Sequence, residues 1–290
     1  MQFLLTRMPG KSRSTIKSLL AHRQVCVDNA VTTRFDHPLM PGQQVAVTRT
    51  KVLQGSSSKG VKVVFEDPHL IVIEKRQGLL SIATDREKER TAFRILSDQA
   101  KEMDPKNLIF VVHRLDREAS GLMMFARSRE VQQTLQHAWQ ESVMERIYVA
   151  VVEGSVAKDQ DTVTSWLKEN RARVMFSSST PGDGQKAITR YRVLARGCGF
   201  SLLEVKLDTG RKNQIRIHMK ELGHSIVGDT KYGSSLNPLN RLCLHARVLA
   251  FRHPVTGGEL RFETPMPPAF LRLVEPSQAT PQEETDQGRH

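Results

Sequence analysis

Between two apolar runs, residues 108–112 (LIFVV) and 122–126 (LMMFA), stand five polar side chains: His113, Arg114, Asp116, Arg117 and Glu118. Each run has the length and composition of a buried strand. A loop held at both ends by core strands fixes the position of its side chains, and loops of that kind carry chemistry disproportionately. Asp116 is the group to which such chemistry would fall. A carboxylate there serves as a nucleophile or as a base, provided it stays ionised. The structural alternative is an aspartate that caps a turn, with Ser120-Gly121 as the end of that turn.

The elements that must position this loop are readable on either side. Residues 61–75 (VKVVFEDPHLIVIEK) give two apolar strands around a Glu66-Asp67-Pro68 turn, and residues 91–103 read as a helix that stops before Asp104-Pro105. Residues 129–143 form an amphipathic helix with Val131, Leu135, Ala138 and Trp139 at core spacing. Residues 146–154 are an apolar strand that carries Tyr148, in isolation a core tyrosine with a satisfied hydroxyl. Residues 186–194 and 201–207 are further strands. The segment 208–220 (DTGRKNQIRIHMK) reads as a strand as well, with Ile215 and Ile217 on one side and Gln214, Arg216 and His218 on the other.

The 290-residue chain is long enough for one large domain with a small attachment, or for two domains. Its net charge of +12 favours a polyanionic partner. That charge is uneven: residues 1–60 hold nine Lys or Arg against two Asp, +7 of the +12. Within them, residues 12–22 form a short amphipathic helix with Ser12 or Ser14 as N-cap and with Arg13 and Lys17 on one side. Short strands at 24–28 and 44–48 follow. Residues 51–60 (KVLQGSSSKG) read as a linker, and residues 277–290 as a disordered tail. Three scattered cysteines suggest neither a disulfide framework nor a zinc site, and the histidines lack metal-ligand spacing. No apolar run approaches 18 residues, so a soluble, cytoplasmic protein without a membrane partner is expected.

His113-Arg114-Leu115-Asp116 with Ser120-Gly121-Leu122 resembles the H-R-L-D-x-x-x-S-G-L signature of the RluA-type RNA pseudouridine synthases, position for position. Residues 146–148 resemble the family's Lys-x-Tyr segment, with Arg146 in place of lysine. Residues 209–218 resemble its T-G-R-x-H-Q-I-R-x-H segment, with Asn213 in place of the first histidine. The usual Lys-Pro after the opening hairpin is Lys75-Arg76 here, which implies a less stiffened loop over 76–86. Residues 1–50 resemble, more weakly, an S-four-type RNA-binding module with a shortened first helix.

The resemblance implies an α+β fold: a catalytic domain over 61–276 with a mixed, mainly antiparallel sheet and flanking helices and loops, plus a small α/β RNA-binding module. It implies an isomerase that converts uridine in structured RNA to pseudouridine without cofactor or metal. Asp116 would be the key catalytic group, Arg216 the guanidinium that holds it ionised, and Tyr148 the group against the target base. His113, Arg114, Arg211 and Gln214 would contact RNA, with Arg13 and Lys17 adding phosphate contacts from the N-terminal module. Ribosomal RNA of the large subunit is the favoured substrate, transfer RNA the alternative, and a catalytically silent RNA-binding or ribosome-assembly factor the competing class. Monomer is the default state.

Overall fold

The computed structural model describes residues 2–21, 25–27, 30–32, 34–47, 60–85 and 87–275. Nearly all of the expected linker (51–59) and the expected tail (277–290) therefore lie outside the described residues. The chain divides into two compact units, one of Met1–Tyr148 with His245–Pro265, the other of Val149–Leu244 with Met266–His290.

At the N-terminus, α1 (Gln2–Arg7) and α2 (Arg13–Ala21) precede three short strands, β1 (Val25–Val27), β2 (Ala30–Val31) and β3 (Val45–Val47). The strands form an antiparallel sheet in the order β2-β1-β3. Ser12, rather than Ser14, caps α2: its hydroxyl accepts from the Thr15 backbone N–H at 3.1 Å. Leu4, Ile16, Leu20 and Val25 are buried together as a small core of their own.

The strands β4 (Val61–Glu66) and β5 (Leu70–Lys75) form the expected hairpin. Its turn is tied by the Asp67 carboxylate, which accepts from the backbone N–H of His69 and Leu70, both at 2.7 Å. Helix α3 (Ala92–Met103) starts at Thr91, whose hydroxyl accepts from the Arg94 N–H. Next come β6 (Phe110–Val111), β7 (Ser120–Ala126), α4 (Arg129–His137), α5 (Trp139–Ser142) and β8 (Val143–Glu153). Along β7 the side chains divide by parity: Met123 and Phe125 enter one hydrophobic cluster, Leu122, Met124 and Ala126 another. A strand covered on both faces reads as a continuous apolar run, which is why this one stood out.

Ser120-Gly121 is not a turn end but the start of β7. Strand β5 lies antiparallel to β7, and the strand Leu244–Arg252 (β13) runs parallel to it at the pairs His245↔Ser120 and Ala246↔Gly121. Gly121 sits at φ +114°, and a Cβ there would overlap the Ala246 backbone. Close backbone approach, not turn geometry, demands this glycine.

The second unit contains β9 (Gln160–Glu169), β10 (Met175–Ser178), β11 (Gln185–Gly197), β12 (Phe200–Leu207) and α6 (Gln214–Glu221). Its strands follow the order β10-β9-β11-β12-β8. Strands β13 (Leu244–Arg252) and β14 (Glu259–Glu263) then pair antiparallel, and α7 (Pro268–Val274) ends the described chain. The expected strand over 208–220 is thus replaced by a turn and α6. Alternation of isoleucine with polar residues signals a strand only if the polar side faces water. Here Gln214 through Met219 are all buried, and the helix sinks its polar side chains into the interior of the unit. Among the described residues no helix is long and apolar enough to cross a membrane.

Candidate active site

The loop from β6 to β7 is held by partners remote in sequence. Lys75, fully buried at the end of β5, donates from Nζ to the carbonyls of Arg76 (3.2 Å), Leu79 (2.8 Å), Arg117 (3.3 Å) and Ala119 (2.7 Å). Ser81 both donates to the Leu115 carbonyl (2.7 Å) and accepts from the Leu115 N–H (3.0 Å). Gly78 N–H donates to the Arg117 carbonyl at 2.8 Å. The backbone is therefore fixed immediately before and after Asp116. Asp116 itself is half-buried, between the buried Leu115 and Ala119. At the position of the family's proline, the Arg76 N–H donates to the Gly60 carbonyl at 2.8 Å, a bond that proline could not make.

The entry to the loop is clasped from α4, where Gln132 and Gln136 donate to the carbonyls of Val111 and Val112. His113 accepts the Met124 N–H at Nε2 (3.1 Å) and packs against Trp139, with ring centroids 5.0 Å apart. Burial, aided by the Arg146 charge, lowers its pKa to about 3, so the ring is neutral. That is a positioning arrangement: His113 ties the loop to β7. Arg114 is exposed and makes no ion pair among the described residues. At the loop exit, the Ser120 hydroxyl, His245 and Thr264 form a buried chain of hydrogen bonds, each 2.8 Å long.

Tyr148 packs against the cluster that contains Leu115, Met123 and Ala246. Burial pushes its phenol up to about 12; the Arg146 guanidinium opposes that shift and the Asp116 charge adds to it. The hydroxyl keeps its proton at neutral pH and lies within the electrostatic reach of Asp116.

In the second unit, Arg216 is buried and meets Asp229 with two parallel bonds, Nε to Oδ2 and Nη2 to Oδ1, both 2.7 Å. Its guanidinium also lies 5.1 Å from the Tyr232 ring centre, and Nη1 donates to Asn213 Oδ1 at 3.4 Å. Asn213 takes a left-handed conformation (φ 57°, ψ 20°), which asparagine tolerates, and donates to the Tyr232 hydroxyl at 2.9 Å. His218 bonds Ser165 and Thr189, and burial lowers its pKa to about 4.

Gln214 is 2% exposed, and its amide is used internally: Oε1 accepts from Thr209 Oγ1 and Arg211 N, while Nε2 donates to Ile188 O and Thr189 Oγ1. Through these bonds it braces the turn into α6. Arg211 is half-buried with Nε on the Lys186 carbonyl, and Arg13 and Lys17 are exposed, one turn apart on α2. Ser81, Asp229 and Tyr232 escaped the sequence reading, and Lys75 entered it only as the residue before Arg76, with no role assigned. The one local signal was a lysine closing a strand that is apolar up to Glu74.

Residues 69–221, more than half of the chain, match the family model described as RNA pseudouridylate synthase. The chain belongs to that family. It is an RNA pseudouridine synthase of the RluA type, an isomerase that converts RNA uridine to pseudouridine. A Bacillus subtilis relative named as an uncharacterized RNA pseudouridine synthase, YjbO, is 32% identical over 212 residues, 73% of this synthase and 75% of the relative. Ribosomal large subunit pseudouridine synthase D of Nitrosomonas europaea is 31% identical over 94% of this synthase and 83% of its own length. Among solved structures, human RNA pseudouridylate synthase domain containing 4 shares the fold, with a TM-score of 0.60 at 24% identity over 73% of this synthase and 90% of that chain. The synthase fold is accordingly α+β with a mixed, mostly antiparallel arrangement of strands.

Proposed function

We propose that this synthase isomerises uridine in large-subunit ribosomal RNA with Asp116 as its catalytic carboxylate. The observation that carries the catalytic assignment is the pinning of the backbone on both sides of Asp116 by Lys75 and Ser81. The substrate assignment rests on relatives about 30% identical that are named for the large ribosomal subunit. In the reaction the bond from the ribose C1′ to N1 breaks, the base turns, and a bond to C5 forms, while one proton leaves C5 and one joins N1. Nothing is oxidised and no group is added. One ionised carboxylate, acting at the ribose or at the base, suffices for such a sequence.

A carboxylate removed from water tends to take up a proton, and a guanidinium opposes that tendency. Arg216 is assigned this role in the RNA-bound enzyme; the family motif supports it, as does a guanidinium already fixed by Asp229. A stacked uridine must be extruded at a cost of a few kcal/mol before chemistry can begin. Tyr148 receives the flipped base and the exposed Arg114 takes the vacated space. Arg13 and Lys17 add phosphate contacts that position the RNA without reading its sequence.

The test is a pseudouridine map of total RNA from cells with and without the gene, complemented with the wild type or with Asp116→Ala. A large-subunit site that is lost on deletion and restored only by the wild type is the expected result. A lost site confined to transfer RNA would overturn the substrate, and restoration by the alanine variant would overturn the catalytic assignment.

A further inference from the structure

The second unit gathers positive charge in excess around the Glu169 carboxylate. The turn between β9 and β10 is tied by hydrogen bonds: Asn170 Oδ1 accepts the Val174 N–H at 2.9 Å, and the Arg173 N–H bonds the Asn170 carbonyl at 2.9 Å. Arg173 is held there at φ 59°, a conformation that favours glycine or asparagine, with its side chain exposed. Arg171 and Arg173 make no ion pair among the described residues. Glu169, at the end of β9, pairs with Lys212 at 2.5 Å. Lys231 is exposed, with Nζ 5.5 Å from the Tyr232 ring centre. Tyr232 in turn bonds Asn213, the neighbour of Lys212, and packs with Leu167 and Met175 of β9 and β10. The β9–β10 turn, the residues before α6 and the loop around Lys231 are thereby locked into one local surface.

We propose that this surface is a phosphate-binding site for the RNA backbone, with Arg173, Lys212 and Lys231 as its cations and Glu169 as the resident counter-ion that a phosphate displaces. Three cations around one carboxylate leave a net charge of +2, and Arg171 adds to it. The convergence is felt at Glu169: the Lys212 hydrogen bond, against slight burial, holds its carboxyl below the usual range, and the charges of Arg173 and Lys231 lower it further. Because Lys212 directly precedes Asn213, which bonds Arg216, a phosphate held here fixes the strand in register with the helix that carries Arg216. The site reads backbone and not base, so it acts on any structured RNA. It rests on RNA being the substrate and not on which RNA that is.

The test uses the full chain, with an in vitro large-subunit ribosomal transcript and a transfer RNA transcript as probes, by fluorescence anisotropy between about 50 and 200 mM salt. The double variant Arg173→Asn, Lys231→Gln keeps a residue that tolerates the left-handed turn. It should bind both transcripts about tenfold more weakly at low salt, with a log Kd against log salt slope smaller by about 1 to 2. Its KM should rise while kcat at saturating RNA holds, and the charge-preserving pair Arg173→Lys, Lys231→Arg should restore binding. Glu169→Gln should bind more tightly than the wild type, an effect opposite in sign to that of a damaged turn. Wild-type affinity and slope in the double variant, or weaker binding by Glu169→Gln, would overturn the site. A wild-type enzyme that leaves the ribosomal transcript unmodified while the binding losses persist overturns the substrate assignment and supports the site.

Discussion

Arg216 and Asp229, thirteen residues apart, form a buried ion pair with two parallel bonds of 2.7 Å. Both groups are almost fully removed from solvent, so neither charge has water to fall back on. Breaking such a pair from one side typically costs about 3 to 5 kcal/mol, because the other charge is left uncompensated. Asp229→Ala should therefore lower the free energy of unfolding by that amount in urea titrations. A loss under about 1 kcal/mol would show that the pair is not structural.

Lys75 ties the Asp116 loop through the backbone carbonyls of Arg117 and Ala119, and holds those of Arg76 and Leu79 as well. Replacing it with methionine keeps the volume and strips those carbonyls of a charged donor, Arg117 keeping the Gly78 N–H that also bonds it, at about 1 to 3 kcal/mol. Misplacing a catalytic group by an ångström costs on the order of a hundredfold in rate. Lys75→Met should thus reduce kcat on saturating RNA far more than it raises KM. Steady-state kinetics beside a thermal melt separate the two effects, and an unchanged kcat in a folded variant would refute the role.

Gly121 faces the Ala246 backbone at φ +114°. Alanine there combines backbone strain with overpacking, roughly 3 kcal/mol together. Gly121→Ala should be markedly destabilised or insoluble, as judged by expression and melting temperature. Wild-type stability would mean that the β7 and β13 backbones separate more easily than the pairing suggests.

Two histidines with lowered pKa values, His113 and His218, give the fold an acid limit. The native pKa values of His113 and His218, about 3 and about 4, lie below the ordinary 6.5. Between those limits the unfolded chain binds more protons than the native one, so stability is full above about pH 6.5 and falls as pH drops towards 4. Each histidine contributes up to about 1.4 kcal/mol per pH unit inside that window. His218→Gln should flatten the decline measured by urea unfolding between pH 7.5 and 4.5. An unaltered slope would show that His218 is not a source of it.

Tyr148 keeps its proton to about pH 12, so no step in activity near neutral pH should trace to it. Tyr148→Phe isolates the hydroxyl, and Tyr148→Leu removes the aromatic face. If the ring receives the flipped base, stacking worth about 1 to 3 kcal/mol is lost only in the leucine variant. A fully active leucine variant would end the stacking role.

Local pattern alone determined much of this protein. The 61–75 hairpin, the helix ending before Asp104-Pro105, the buried strand after Asp116 and the amphipathic α4 each follow from periodicity and turn chemistry within a dozen residues. The position of Asp116 between two apolar runs was equally plain, and the quoted motifs pointed to the family. What tertiary structure alone decided involves partners far along the chain. Lys75 reaches carbonyls 42 and 44 residues away, and Ser81 reaches Leu115 across 34. Gly121 is required by a parallel strand more than a hundred residues on. The segment 214–221 alternates like a strand, yet is a helix because its polar side chains find buried partners: Asp229 for Arg216, Ser165 and Thr189 for His218, and Thr189 for Gln214. Periodicity separates apolar from polar positions and equates polar with exposed. Where long-range hydrogen bonds satisfy buried polar groups, that equation fails, and the pairing that breaks it exists only in the folded chain.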